Sequence, residues 1–300
     1  MAIPLALTAC ADAAPESSTS AAAQDRIAIV ASTNVYASIA AAIAGDRADV
    51  VSFINSSTQD PHEYEATAQD RLAIEGADIV VENGGGFDHF MDVLLEGAQA
   101  QPAVLNAVAT SGLVSADQAQ GDTEIEGFNE HVWYKFDAMD ALALRISGTL
   151  SDLDPDSAAA YADNYQRFSR ELADLSTAAT SLKASFDGQG VAITEPVPLY
   201  LLEAVGLVNK TPEDFTEAVE EGEDVPPRAL LATLDLFSGQ QVSLLAYNDQ
   251  TADAATEQVR AAAEAAGIPV VNFSEILPAG KDYIQWQQAN LDNLEAVLAK

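Results

Sequence analysis

The hydrophobic positions of the chain alternate between short apolar runs, typical of buried strands, and longer segments with helical spacing. In the first part of the chain the predicted strands are 26–31, 50–54, 77–82 and 102–105. Helices are predicted between them, from Val35 to Ala44 and from about Phe87 to Gly97. Strands that alternate with helices in this way predict a parallel sheet covered by helices on both faces.

One long amphipathic helix is predicted over residues 154–187. Asp154 can cap a helix that begins with Pro155, and Gly188 follows its end. Its apolar residues recur at spacings of three and four: Tyr161, Tyr165, Phe168, Leu172, Leu175, Ala179, Leu182 and Phe186. At 1.5 Å per residue the helix would run about 45 Å, which is longer than one small domain needs. We therefore expect a stiff connection between two lobes.

Beyond Gly188 the alternation resumes. The predicted strands are 191–194, 242–247 and 268–273, and the predicted helices are 198–205, 227–237, 252–266 and 283–299. The segment 211–227 is rich in Glu and Asp, and we expect it to be an exposed acidic loop.

The fold class is therefore α/β, with two lobes that each contain a mainly parallel sheet flanked by helices, joined by one long rigid helix. The expected division is a signal and tether over 1–24, lobes over 25–153 and 188–300, and the linking helix over 154–187.

The charge of the chain restricts its partners. It has 13 Lys and Arg against 47 Asp and Glu, which gives a formal net charge of -34. Such a chain is repelled by phosphate backbones and by anionic lipid, so we expect no nucleic-acid binding and no adsorption to a membrane surface. The acids are spread along the whole chain, which favours a solvated surface over a diffuse role in collecting metal ions.

Cys10 is the single cysteine and follows an apolar run that starts at Pro4. The run resembles the end of a bacterial lipoprotein signal, in which the cysteine is lipidated, and residues 11–24 resemble a flexible tether. No positively charged segment precedes the run, so either the start of the signal is missing or Cys10 is a small apolar residue of a tail. No later run approaches the roughly 18 apolar residues that span a bilayer. We expect an extracytoplasmic body anchored to the membrane by lipid at Cys10.

Four good metal ligands follow predicted strands: His62, His131, Glu195 and Glu275. Each alone is more simply explained as a surface residue. Together they form a nitrogen and oxygen ligand set for a divalent transition ion, and the carboxyl ends of parallel strands are where such sheets bind ligands. Two of them precede the long helix and two follow it, so each lobe would contribute two ligands to one cleft.

The chain resembles the solute-binding lipoproteins of bacterial ATP-binding-cassette importers for manganese and zinc, over nearly its whole length. The most specific matches are Asp60-Pro61-His62-Glu63-Tyr64-Glu65, Asn129-Glu130-His131-Val132-Trp133, and Leu291 to Lys300 in the last helix.

The resemblance implies that His62 and His131 are metal ligands. The third ligand of the family is His or Glu five residues before a Tyr, which corresponds to Glu195 before Tyr200. The fourth ligand is usually Asp, so Glu275 departs from the family pattern but keeps its chemistry.

Several other residues receive simpler assignments. His89 matches no ligand position, and we expect it at a surface or a helix end. The glycines from Gly84 to Gly86 lack the spacing of a phosphate-binding loop and predict a turn before a helix. The aromatic residues that we expect to fill the core or line the cleft are Trp133, Tyr134, Tyr283 and Trp286.

The resulting hypothesis is a monomeric metal receptor that captures one Mn²⁺ or Zn²⁺ ion between two lobes and delivers it to an ABC permease. It is not expected to be an enzyme. A metal-dependent hydrolase is the alternative from another class, although no H-E-x-x-H pattern is present. A surface adhesin is a second alternative, which a tether would allow. Two carboxylates favour manganese, whereas zinc lies above manganese in the Irving–Williams order.

Overall fold

The structure is a computed structural model that describes residues 26–59, 61–62, 64–119, 125 and 127–299. Cys10 and the predicted signal and tether lie outside these residues, so their assignment stays a prediction.

The first sheet contains four parallel strands in the order β2-β1-β3-β4. The strands are β1 (Ile27–Thr33), β2 (Ala48–Ile54), β3 (Ile79–Glu82) and β4 (Ala103–Asn106). The helices of this half are α1 (Asn34–Ala44), α2 (Ala68–Glu75), α3 (His89–Glu96), α4 (Ala107–Ser111), α5 (Ala116–Ala119) and α6 (Phe136–Leu153). All four residues of β3 are buried, as expected for a strand covered on both faces.

The long helix is α7 (Ala158–Phe186), with 29 residues. A single 3-10 turn over Pro155–Ser157 precedes it, so the α-helix begins slightly later than the capping pattern predicts. Its buried side chains are Tyr161, Phe168, Leu172, Leu175, Ala179 and Leu182, and helix α7 packs on α1 and α6. The predicted long helix is confirmed, and its length is about 43 Å.

The second sheet repeats the strand order of the first, as β6-β5-β7-β8, and is also parallel. Its strands are β5 (Gly190–Ile193), β6 (Val208–Asn209), β7 (Leu245–Asn248) and β8 (Val270–Phe273). The helices are α8 (Leu199–Ala204), α9 (Glu213–Glu220), α10 (Pro227–Ser238), α11 (Ala254–Ala265) and α12 (Tyr283–Leu298). Helix α12 also packs on α7 and α1. The predicted α/β class with two parallel sheets is confirmed.

The prediction of a loop over 211–227 is wrong, because the segment contains helix α9. Phe215, Ala218 and Val219 are buried on one face of this helix, whereas Glu217 is exposed on another. The acidic residues made the segment look like a solvated loop, but its few apolar residues have the helical spacing needed to dock. A helix at this place carries Glu220 on its last turn, which matters for the site described below.

The three glycines after β3 form the turn that the sequence predicts. Gly84, Gly85 and Gly86 all have positive φ, and a Cβ on Gly84 would lie 2.0 Å from Asn106 Nδ2. The Asp88 carboxylate accepts hydrogen bonds from the backbone N–H groups of Asn83 (2.6 Å) and Gly84 (2.8 Å). These donors therefore serve an internal carboxylate rather than a phosphate.

Among the described residues, none of the helices combines the length and the apolar composition that crossing a bilayer requires.

Candidate metal site

Asn129 fixes the orientation and the tautomer of His131. The Nδ2 group of Asn129 donates a hydrogen bond to the carbonyl of Pro196 (3.0 Å), so its Oδ1 is left to accept. This Oδ1 lies 2.7 Å from Nδ1 of His131 and also accepts from the His131 backbone N–H (3.1 Å). Nδ1 of His131 therefore carries the hydrogen, and its Nε2 presents a lone pair, as in the metal-binding histidines of proteins.

His131 is fully buried, and its surroundings favour the neutral imidazole. Burial lowers the pKa of His131, and the negative charge of Glu130 opposes this effect only in part. The ring contacts Trp133 at a centroid distance of 5.0 Å and Phe87 at 5.9 Å. A neutral ring held in an aromatic pocket is the form that binds a metal ion.

His62 also contacts Phe87, with ring centroids 5.1 Å apart. Its side chain is 22% exposed, so this part of the site lies closer to solvent than His131 does. The two predicted histidine ligands, which are far apart in the sequence, are thus brought to one place around a single aromatic ring.

Glu220 faces both histidines from helix α9. Its Oε1 lies 3.1 Å from Nε2 of His131 and 3.6 Å from Nε2 of His62, and its side chain is only 10% exposed. Together with Glu130, these residues offer ligand atoms that all lie within 4.8 Å of one another. Glu220 is not among the predicted ligands, because its segment was predicted to be a loop; the helical spacing of Phe215, Ala218 and Val219 was the available signal.

Glu195 and Glu275 follow β5 and β8, as predicted, and both are buried, at 2% and 3% exposure. Neither belongs to the group of four residues around the histidines. Glu275 is held by the side chain of Asn248, whose Nδ2 donates to its Oε1 (2.7 Å), and its backbone N–H donates to Gln250 Oε1 (2.8 Å). Glu195 directly precedes Pro196, whose carbonyl accepts from Asn129. Their role as ligands stays a prediction.

The remaining candidates lie where the sequence analysis expected them. Trp133, Tyr134, Tyr283 and Trp286 are each at most 2% exposed and belong to the main hydrophobic core. His89 is the first residue of helix α3, and its Nδ1 lies 3.9 Å from Asp92 Oδ2 at the surface.

Hydrogen bonds across the cleft join the two lobes beside the site. Tyr200 donates its hydroxyl hydrogen to the carbonyl of Asn129 (2.7 Å), and Tyr134 donates to the carbonyl of Ser274 (2.8 Å). With the bond from Asn129 to Pro196, they hold the segment on both sides of His131 against the second lobe.

A pair of buried acids consists of Glu82, at the end of β3, and Asp88, directly before α3. Burial, followed by the charge of Asp88, raises the pKa of Glu82 to about 8, although the Asn106 amide donates to Glu82 Oε1 (2.9 Å) and opposes the shift. Burial also raises the pKa of Asp88, and its hydrogen bonds from Ser32 and from backbone N–H groups counteract this. Glu82 is therefore the member of the pair that keeps its proton near neutral pH.

Similar proteins of known structure have the same fold. One is the periplasmic zinc binding protein TroA from Treponema pallidum, with a TM-score of 0.75, 18% identity, and coverage of 92% of this chain and 100% of that one. Another is the SBP FpvC from Pseudomonas aeruginosa in complex with Mn²⁺, with a TM-score of 0.72, 24% identity, and coverage of 91% and 98%.

Comparison of the amino-acid sequence with those of known proteins identifies the family of the chain. The manganese ABC transporter substrate-binding lipoprotein scaA of Streptococcus gordonii is 23% identical over 311 aligned residues, which cover 99% of this chain and 96% of that protein. The family model for the periplasmic component A of zinc-uptake complexes matches residues 29–297. With the two parallel sheets, the long helix and the paired histidines, this match shows that the chain belongs to the family of periplasmic zinc-uptake complex component A proteins.

Proposed function

We propose that this chain, a substrate-binding protein of a metal-importing ABC transporter, captures one divalent transition ion between its lobes, with His62 and His131 as nitrogen ligands. Glu195 and Glu275 are proposed as the carboxylate ligands of the second lobe, in agreement with the order of ligands in the family. The ion is the cargo of the protein, and its delivery requires only the exchange of ligands.

One observation carries this proposal: Nε2 of His62 and Nε2 of buried His131 both lie close to one oxygen of the mostly buried Glu220 carboxylate. His131 has its other nitrogen bound to Asn129, which is the arrangement that keeps Nε2 available for a metal ion. Two imidazoles with carboxylates suit manganese, iron and zinc, and the carboxylates make the site harder than one of imidazoles alone.

We propose binding and transport rather than catalysis. A catalytic metal needs an open coordination position for water and a general base beside it. Here two carboxylates, those of Glu130 and Glu220, lie beside two histidines, so protein ligands can fill a four-coordinate sphere and exclude a reactive water.

The partner proposed for delivery is an ABC permease in the membrane, and the protein is proposed to act as an extracytoplasmic monomer tethered by lipid at Cys10. The relatives named as lipoproteins and the apolar run before Cys10 support the tether. Radiolabelled palmitate should label the wild-type protein in a bacterial host, and Cys10→Ser should abolish the labelling.

Stabilisation by metal tests the proposed function. Chelator-treated protein should melt at a higher temperature in an excess of Zn²⁺ or Mn²⁺, because free ligand at 100 times its dissociation constant adds about 2.7 kcal/mol of stability. His131→Ala should lose most of this shift, and His89→Ala, at a surface histidine, should keep it. The absence of a shift with either ion in the wild-type protein would refute metal capture. Hydrolysis of ester or amide substrates by the zinc-loaded protein would instead favour the enzyme alternative.

A further inference from the structure

Helix α9 brings a carboxylate of the second lobe to both histidines of the first. Glu220 lies in the last turn of this helix, after the two-residue strand β6. We propose that Glu220 is itself a metal ligand, contributed by the 211–227 segment in addition to the carboxylates at the strand ends. This inference rests on the proposed function, since it adds a ligand to the same site.

The distances around Glu220 Oε1 fit one shared ion. Ligand atoms about 2.1 Å from a metal ion are about 3.0 Å apart at neighbouring octahedral positions and about 3.4 Å apart in a tetrahedron. The observed separations are 3.1 Å to His131 Nε2 and 3.6 Å to His62 Nε2. Both separations from Glu220 Oε1 are thus close to those between neighbouring ligands of one ion, and the ligand atoms of the group all lie within 4.8 Å of one another.

The electrostatics of the contact also favour a cation. Nε2 of His131 presents a lone pair, because Nδ1 carries the hydrogen that is donated to Asn129. A lone pair and a carboxylate oxygen at 3.1 Å repel each other unless a proton or a metal ion lies between them. A divalent ion at this position would convert the repulsion into two favourable bonds.

Packing holds Glu220 in place, which distinguishes it from an acid on an unanchored loop. Phe215 and Val219 of α9 are part of the hydrophobic core of the second lobe. At the start of the segment, Thr211 Oγ1 accepts a hydrogen bond from the backbone N–H of Ile193 (2.9 Å), the last residue of β5. A ligand carried by an element packed in this way is positioned accurately enough to contribute to affinity.

Because Glu220 belongs to the second lobe and the histidines to the first, its bond to the ion would tie the lobes together across the cleft. The acidic segment after β6 would then act in metal binding through one defined residue, while the exposed acids of the same helix, such as Glu217, remain solvated.

The test compares Glu220→Gln, which removes the charge with little change of shape, with Glu217→Gln on the exposed face of the same helix. Zinc affinity is measured by competition with a chromophoric chelator, on full-length protein. Since even residues that only support a ligand change metal affinity by about 10- to 100-fold, Glu220→Gln should weaken zinc binding at least about 10-fold. Glu217→Gln should leave it close to the wild-type value.

A crystal structure of the zinc-loaded wild-type protein supplies the direct test. A carboxylate oxygen of Glu220 about 2.0–2.2 Å from the ion supports the assignment. A coordination sphere without Glu220 overturns it, even if affinity falls in Glu220→Gln, because Glu220 would then only support the histidines. Unchanged affinity in Glu220→Gln also overturns it. In both cases the proposed function still stands if wild-type protein binds zinc and His131→Ala does not; if the wild-type protein fails to bind, both ideas fail.

Discussion

Asn129 should control metal affinity without touching the metal. Its side chain makes three hydrogen bonds: it accepts from Nδ1 (2.7 Å) and from the backbone N–H of His131 (3.1 Å), and it donates to the carbonyl of Pro196 (3.0 Å). Asn129→Ala removes all three bonds, frees the His131 ring to rotate and to change tautomer, and loosens one contact between the lobes.

The expected size of the effect follows from these bonds. At about 1 kcal/mol for each, the free energy of unfolding of the metal-free protein should fall by about 3 kcal/mol. Metal affinity should fall by a further factor of about 10–100, which is typical when the residue that orients a metal-binding histidine is lost.

Chelator competition for affinity and urea denaturation of the metal-free protein measure the two effects separately. Tyr200→Phe is the matched control, because it removes the neighbouring bond from the Tyr200 hydroxyl to the Asn129 carbonyl (2.7 Å) and leaves the bond to His131 Nδ1 intact. It should lower stability by about 1 kcal/mol and leave affinity nearly unchanged. If Asn129→Ala binds zinc as tightly as Tyr200→Phe does, the orientation of His131 does not depend on Asn129 and the reasoning is wrong.

Three further predictions concern titration and selectivity. Burial lowers the pKa of His131 in the folded protein. Below about pH 6.5, His131 is therefore protonated in the unfolded chain but stays neutral in the folded one. Urea denaturation of the metal-free protein should therefore show stability falling below that pH, and falling less in His131→Gln; identical profiles would contradict this. The pKa of Glu82 is raised to about 8, so the folded state keeps a proton that the unfolded state loses, and stability is lost as pH rises from about 4.5 towards about 8. The stability of Glu82→Gln relative to wild type should grow over that range, and a constant difference would argue against a protonated Glu82. Glu195→His replaces a hard oxygen with a softer nitrogen and should lower the manganese to zinc affinity ratio in competition experiments; an unchanged ratio would exclude Glu195 as a ligand.

The sequence predicts the strands and the long helix because their signals are local. Buried runs such as 26–31 differ from β1 (Ile27–Thr33) only at their ends, and the periodicity of α7 places its buried face. The strand β6 is only two residues long, which is too short for a hydrophobic pattern. Helix α6 was not predicted, although Met139, Leu142 and Ile146 recur at the spacing of an amphipathic helix.

The site was predictable only as far as ligands follow strands or lie in a recognised motif. His62 and His131 do so and are found together, while Glu195 and Glu275 lie buried after their strands but outside the group around the histidines. The position of Glu220 depends on how α9 packs against the second lobe. Such packing is a tertiary property, and the acidic composition of the segment gives no indication of it. Its neighbours in sequence have the composition of a solvated segment, so the chemistry of Glu220 could be identified only after the helix was placed.

The repeated strand order explains why two distant halves can share one ion. In each sheet the first strand of the lobe lies inside the sheet, with the second strand on one side and the third on the other, so a crevice opens at the carboxyl ends of the strands. The two crevices face each other across bonds such as Asn129 to Pro196 and Tyr134 to Ser274. In the proposed function, an ion held by both lobes would add to these bonds. Helix α7 packs on α1 and α6 of the first half and on α8 and α12 of the second, so large movements of the lobes would disturb these contacts. In the proposed function, release is an exchange of ligands, which a small opening of the lobes on the permease would assist.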